Sequence, residues 1–153
     1  MTTTPPHLVI ADKNLLALDQ QVCYALAVAS RNVIALYKPL LAPMGLTHPQ
    51  YLVMLALWEE TPLTVSELGR RVSLDPGTMS PLLKRLESSG LLTRERNPTD
   101  ERALAVSLTP HGARLRRQAE KVPPAIIERL GLQVAELESL RDGLTRLIAA
   151  ARS

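Results

Sequence analysis

Apolar residues recur at helical spacing through Leu15, Leu18, Val22, Leu26, Ala29, Val33, Leu36 and Tyr37, which predicts a helix over Asn14–Lys38. Within it Val22 to Ala29 is an unbroken run of apolar or weakly polar residues, so the helix needs cover on several sides. Pro39 is expected to kink or end it. A second helix follows with Thr47 as N-cap, Pro49 in the first turn and Gln50 three positions after the cap. Tyr51, Leu52, Met54, Leu55, Leu57 and Trp58 fill its apolar faces up to Thr61-Pro62. Residues 1 to about 12 read as a loose arm.

The period changes between Leu63 and Thr109. Thr64 and Glu67 have the spacing of a reciprocal capping box, with Leu63 and Leu68 at the staple positions around it. Ser73-Leu74-Asp75-Pro76 stops that helix and starts another, Asp75 serving as N-cap and Pro76 as first helical residue. This second helix is predicted to reach about Ser89, and Gly90 stands where a left-handed cap is wanted. Then Leu92, Arg94 and Arg96 alternate with Thr93 and Glu95, and Leu104, Val106 and Leu108 alternate with Ala103, Ala105 and Ser107. Period 2 predicts two short strands. The polar Asn97–Arg102 between them is the tip of a hairpin. Helix, turn, helix and hairpin together make a winged helix-turn-helix.

Beyond the wing, Thr109-Pro110 begins a helix carrying Arg114, Arg116 and Arg117, which Pro123-Pro124 interrupts. Ile126, Ile127 and Leu130, then Leu132, Val134, Leu137, Leu140, Leu144, Leu147 and Ile148, predict a short helix and a longer one. The fold class is mainly α with a small β-wing, in one domain over residues 1–153. Residues 47–109 form the winged region, and 13–46 and 110–153 form helices for dimerisation. These terminal helices carry more apolar surface than a head of roughly 45 residues can cover, so a second copy is expected to cover it. A two-fold dimer sets two recognition helices about 34 to 36 Å apart and matches a palindromic site on double-stranded DNA.

Charge changes this picture by its placement. The net charge of +3 is modest, but Arg114, Arg116, Arg117 and Lys121 stand against Glu120 alone, and the head displays Lys84, Arg85, Arg94, Arg96 and Arg102. Met1–Pro6 is polar and lacks a basic start before an apolar run, so no signal peptide is expected. The uncharged run Pro39–Trp58 contains prolines, Gly45, His48 and Gln50, which argues against a membrane span. With 1 Cys there is no internal disulfide, and a reducing cytoplasm is the natural location. His7, His48 and His111 are isolated and lack metal-ligand spacing; no metal and no cofactor is expected.

Leu74-Asp75-Pro76-Gly77-Thr78-Met79-Ser80-Pro81-Leu82-Leu83-Lys84-Arg85-Leu86-Glu87, Asp100-Glu101-Arg102 and Leu108-Thr109-Pro110-His111-Gly112 resemble the MarR family of transcriptional regulators. Cys23, Tyr37-Lys38-Pro39-Leu40-Leu41 and Pro49-Gln50-Tyr51-Leu52 resemble the one-Cys type of its OhrR subgroup, repressors of organic hydroperoxide resistance. The resemblance spans the chain from about Leu18 to the last helix. It implies DNA contacts from Thr78, Ser80, Lys84 and Arg85 in the recognition helix, and a minor-groove arginine at Arg102. Asp100 then holds the wing by pairing with an arginine such as Arg96. Hydroxyls, ammonium and guanidinium suit phosphates and base edges, and a narrow groove attracts a cation.

The resemblance also implies that the phenols of Tyr37 and Tyr51 approach Cys23, the latter from a partner subunit, and favour its thiolate. Read from residues alone, Cys23 is equally a small buried apolar residue, and the two tyrosines are equally core or interface residues. A thiolate attacked by an organic hydroperoxide becomes a sulfenic acid, which a small-molecule thiol or a backbone nitrogen then captures. Two other functions remain open: a regulator of the same fold released by a phenolic or other non-oxidising ligand in the dimer cleft, and a thiol peroxidase. Against an enzyme stands the lack of a candidate general base or resolving thiol beside a complete DNA-reading head.

Overall fold

The structure, a computed structural model, describes residues 15–97 and 100–152, with backbone alone at 97 and 100–103. The arm expected over residues 1 to 12, with His7, lies outside them. The chain divides into two compact units, residues 1–35 and 36–153.

In the first unit a 3-10 turn at Leu18–Gln20 precedes helix α1, Val22–Leu41, so the regular helix starts later than the apolar spacing predicts. Gln21 explains the break: its side-chain amide donates to the carbonyls of Leu15 and Ala17, at 2.6 and 3.1 Å, and stabilises a turn. Val22, Tyr24, Leu26 and Ile34 are exposed large hydrophobics. No single helix among the described residues is long and apolar enough to cross a membrane.

The second unit holds the core. Pro39 neither ends nor interrupts α1, which continues to Leu41. In the last turn its missing N–H removes one bond from a ladder about to stop, and a 3-10 turn at Ala42–Met44 completes the corner with Gly45 left-handed. Helix α2, His48–Glu59, starts with the expected box: the Gln50 amide donates to Thr47 Oγ1 and the Thr47 amide to Gln50 Oε1. Tyr51, Val53, Met54, Ala56 and Leu57 are buried along it. It lies against α3 (Val65–Val72), α4 (Pro76–Ser88) and α5 (Pro110–Ala119).

Leu63–Thr64 forms a strand, β1, that the sequence pattern does not predict. It pairs with β3, Asp100–Leu108, through Leu63 opposite Val106 and Thr64 opposite Ala105. β3 also pairs with β2, Leu92–Asn97, so the wing is a three-stranded antiparallel sheet in the order β1-β3-β2. β2 ends at Asn97 and β3 begins at Asp100, so part of the stretch Asn97–Arg102 predicted as the hairpin tip is strand. Leu63, Leu92 and Val106 are buried and fasten the sheet to the helices, each contributing about 1.5–3 kcal/mol.

After the sheet, α5 packs back on α2. The Trp58 indole N–H donates to the Gly112 carbonyl at 2.9 Å, and a Cβ on Gly112 would stand 2.0 Å from the Leu91 carbonyl oxygen. Only glycine admits that approach. The interruption expected at Pro123-Pro124 is present, with α5 ending at Ala119 and the short helix α6, Val122–Leu130, taking both prolines into its first turn. Helix α7, Val134–Ala151, has no buried residue in the protomer. Mainly helical with a small sheet, the architecture is the winged helix-turn-helix predicted.

Candidate nucleic-acid interface and thiol site

The recognition helix is set by caps at both ends of the turn before it. Thr64 and Glu67 exchange the two bonds of their box, at 3.1 and 3.2 Å, so α3 starts as the sequence predicts. It ends on Ser73, whose backbone is left-handed at φ 57°, and the Leu74 amide returns to the Gly69 carbonyl. Gly69 lets the two helices close: a Cβ there would meet the Leu74 carbonyl oxygen at 3.0 Å. Asp75 then caps α4, accepting from the Thr78 amide at 2.9 Å and the Thr78 hydroxyl at 3.0 Å. These two donors hold the Asp75 carboxyl below its ordinary range.

Met79, Leu83 and Leu86 recur at helical spacing and are fully buried, which fixes the rotation of α4. Thr78, Ser80, Lys84 and Arg85 are thereby left exposed on the other side. Lys84 and Arg85 line one groove with Gln50, Pro81, Ser88 and Ser89. Pro81 sits inside the helix without ending it. Its amide falls in the second turn, close to the positions where helix N–H groups are unpaired anyway.

The wing residues divide. Arg96 is exposed on β2, whereas Arg94 is half-buried and donates from Nε and Nη2 to the Glu87 carboxylate, both at 3.3 Å. The guanidinium holds the Glu87 carboxyl below its usual range and ties the wing to the recognition helix. Arg94 is therefore placed to position the wing, a partner that its surface alternation did not reveal. Asp100 and Arg102 occupy β3, and their side chains lie outside those described, as does any pairing of Asp100 with Arg96.

Cys23 is the second residue of α1, a free and exposed thiol with no acidic residue in the helix's first turn. In the other unit Tyr37 and Tyr51 form an aromatic cluster, with ring centroids 5.9 Å apart and planes at 43°. The cluster has a third member that the sequence reading passed over as an isolated histidine. His48 meets Tyr37 edge-on at 4.9 Å and Tyr51 at 6.3 Å. Its position one turn before Tyr51 on α2 was the available signal.

Burial raises both phenols above their ordinary range, Tyr51 further by the neighbouring Tyr37, and lowers His48 below the usual imidazole range. At neutral pH the cluster thus presents two O–H donors and a neutral imidazole. Among the described residues, no group of three or more His, Cys, Asp or Glu is arranged to hold a metal ion.

A capped recognition helix beside a clamped antiparallel wing defines a winged helix-turn-helix protein with its polar helix face outward. The MarR family model matches residues 46–104. The chain is 41% identical over 131 residues to the organic hydroperoxide resistance transcriptional regulator of Bacillus subtilis (strain 168), covering 86% of this chain and 89% of that one. Reduced AbfR bound to DNA, a protein of Staphylococcus epidermidis, superposes with a TM-score of 0.73 at 35% identity, over 89% of this chain and 95% of that one. PcaV from Streptomyces coelicolor, in complex with its natural ligand, gives 0.80 at 26% identity, over 91% and 99%. The chain belongs to the MarR family.

Proposed function

We propose that this protein is a cytoplasmic, dimeric transcriptional repressor that holds a palindromic operator while Cys23 is reduced and releases it when an organic hydroperoxide oxidises that thiol. The observation that carries the proposal is a single free cysteine, at a helix N-terminus and in a chain with a complete DNA-reading head, together with the likeness to a hydroperoxide resistance regulator. AbfR structures in reduced, overoxidised and disulfide-formed states support a redox reading of this fold.

Each half of the dimer lays α4 in a major groove. Thr78 and Ser80 contact phosphates or base edges near the helix start, and Lys84 and Arg85 reach phosphates or guanine acceptors. Arg94 keeps the wing on the helix through Glu87, so that Arg96 and Arg102 meet the backbone and minor groove, with Asp100 bracing the tip.

Oxidation begins with the thiolate, the attacking form of cysteine, and a helix N-terminus accommodates a negative charge. The sulfur attacks a peroxide oxygen, the S–O bond forms as O–O breaks, and the departing alkoxide takes a proton to leave as an alcohol. Tyr37 and Tyr51 supply O–H donors for the sulfur. The chain has 1 Cys, so the sulfenic acid condenses with an external small thiol, forming S–S and releasing water. Moving the DNA-competent form from 99:1 to 1:99 requires about 5.5 kcal/mol of differential stabilisation, within reach of a covalent change in a packed interface. This is a stoichiometric switch, and no enzymatic turnover is proposed.

The test is binding to DNA from the gene's own upstream region by fluorescence anisotropy at fixed salt, with cumene hydroperoxide added to wild type and Cys23→Ser. Release by wild type alone is expected; identical responses overturn the redox mechanism. A second reading, release by a non-oxidising small ligand, is favoured by a cleft of about 940 Å³ lined by Val65, Leu74, Met79 and Leu104 with Arg70 and Arg152. It requires the response to survive in Cys23→Ser.

A further inference from the structure

Gln50 is 7% exposed, and no other polar or charged residue among the described ones is buried. Its Oε1 accepts from the Thr47 amide at 2.9 Å, which closes the box at the start of α2. A backbone N–H can only donate, so that bond fixes which end of the side-chain amide is oxygen and leaves Nε2, with two N–H donors, at the other. Among the described residues no acceptor meets Nε2, and no side-chain nitrogen or oxygen there is both buried and unpartnered. Nε2 therefore reaches solvent, in the groove of about 530 Å³ that Gln50 lines with Pro81, Lys84, Arg85, Ser88 and Ser89.

Capping alone does not ask for glutamine at this position. The other two capping boxes among the described residues, Thr64 with Glu67 and Gln133 with Glu136, end in a carboxylate. A carboxylate accepts the same bond and adds a negative charge where a helix start favours one. At Gln50 that charge would enter a groove it shares with Lys84 and Arg85. Both are exposed, and neither has a carboxylate within ion-pair distance among the described residues. Ser88 and Ser89 give their hydroxyl protons to the Lys84 and Arg85 carbonyls, each at 2.9 Å, so the donors left to the groove are an ammonium, a guanidinium and Nε2. Two cations and a neutral donor with no anion beside them suit an oxyanion.

We infer that this groove holds one phosphate of the DNA backbone, with Gln50 Nε2, Lys84 and Arg85 as its ligands. The inference rests on the DNA contacts proposed above and adds to them a residue of α2, outside the helix-turn-helix pair and the wing. A backbone phosphate is the occupant because the groove runs along α4, the helix whose exposed Thr78 and Ser80 stand one and two turns before it. Gln50 also suits the task by being fixed in advance. Its rotamer is held by the Thr47 amide and by burial, so little side-chain freedom is lost when the phosphate arrives.

The experiment uses Gln50→Glu in the full-length reduced protein, since glutamate keeps the box and replaces Nε2 by a second carboxylate oxygen. Binding to DNA from the gene's own upstream region is followed by fluorescence anisotropy over a salt series, with melting temperatures by circular dichroism. Gln50→Glu is expected to melt no lower than wild type and to bind about 10-fold more weakly or worse, the worth of a hydrogen bond to a charged group. The slope of log affinity against log salt should fall by about 2, one phosphate per protomer. Duplexes carrying one neutral methylphosphonate at a time then locate the phosphate: at one position in each half-site the substitution should weaken wild type and leave Gln50→Glu unaffected.

Wild-type affinity in Gln50→Glu overturns the inference, and so does weaker binding with an unchanged salt slope or with no such methylphosphonate position. Thr47→Ala breaks the same box from its other end and keeps Nε2, so an equal loss of affinity in that variant assigns Gln50 to the cap and overturns the inference as well. If wild type binds the upstream DNA and Gln50→Glu matches it, only this inference fails. If wild type does not bind that DNA, the proposed operator contacts fail with it.

Discussion

Gly112 and Lys84 each carry a prediction, the first about the fold and the second about the proposed DNA contact. Gly112 opens α5 against the Leu91 carbonyl, and its own carbonyl accepts from Trp58. A methyl group at this position has backbone in its way, so relief means moving the helix. Gly112→Ala is expected to cost about 1–3 kcal/mol, the usual toll of overpacking, read as a lower urea midpoint at unchanged slope. Lys84 is exposed on the recognition helix, and truncating it leaves the buried Met79, Leu83 and Leu86 untouched. Lys84→Ala should weaken binding to every DNA sequence alike and reduce the slope of log affinity against log salt by about 2, one phosphate per protomer. An unchanged slope would remove Lys84 from the backbone contacts.

At the scale of elements, caps decide where helices begin, and these were the most legible part of the chain. Thr47 with Gln50, Thr64 with Glu67, and Asp75 before Pro76 all form as their spacing predicts, because each rests on bonds within four residues. Asp75 also provides a pH signature. Its folded carboxyl lies below the ordinary value of 3.8, held there by the Thr78 amide and hydroxyl. A group depressed in the folded state stabilises fully above its unfolded value and loses that contribution as pH falls through the folded one. The melting temperature of wild type should thus exceed that of Asp75→Ala most near neutrality, and the gap should close in acid below the carboxylate range. A gap constant with pH, measured by circular dichroism, would mean that the ionised cap contributes nothing.

What the local pattern did not reveal is non-local. β1 is two residues long, and Leu63 and Thr64 are recognisable as a strand only once Val106 and Ala105 lie opposite. Arg94 alternates like a surface residue until Glu87 of a different element reaches it. His48 looked solitary because its partners come from two helices. Pro39 does not end α1 for a related reason: its cost depends on how near the helix is to ending, and Leu41 is the last helical residue.

For the whole molecule, the decisive feature is apolar surface left uncovered. Leu137, Leu140, Leu144, Leu147 and Ile148 recur on α7 at helical spacing, yet none is buried in the protomer, and Leu140 is 56% exposed. Val22, Leu26 and Ile34 on α1 are likewise exposed in the first unit. A helix with a continuous apolar stripe is stable in water only when that stripe is covered, and a second copy of the chain provides the same stripe for a two-fold interface. Charge placed in the stripe should therefore act on assembly before it acts on the fold. Leu140→Glu combined with Leu147→Glu is expected to give a monomer by sedimentation while retaining the helical circular dichroism of the head, whose core is formed elsewhere, by α2, α4 and the sheet. A monomer engages one half-site and loses the second, effectively intramolecular contact, so operator affinity should fall about 100-fold or more, while its weak non-specific binding keeps a shallower salt slope. A variant that remains dimeric, or a monomer that binds the operator as tightly as wild type, would separate DNA recognition from the two-fold arrangement on which release by oxidation depends.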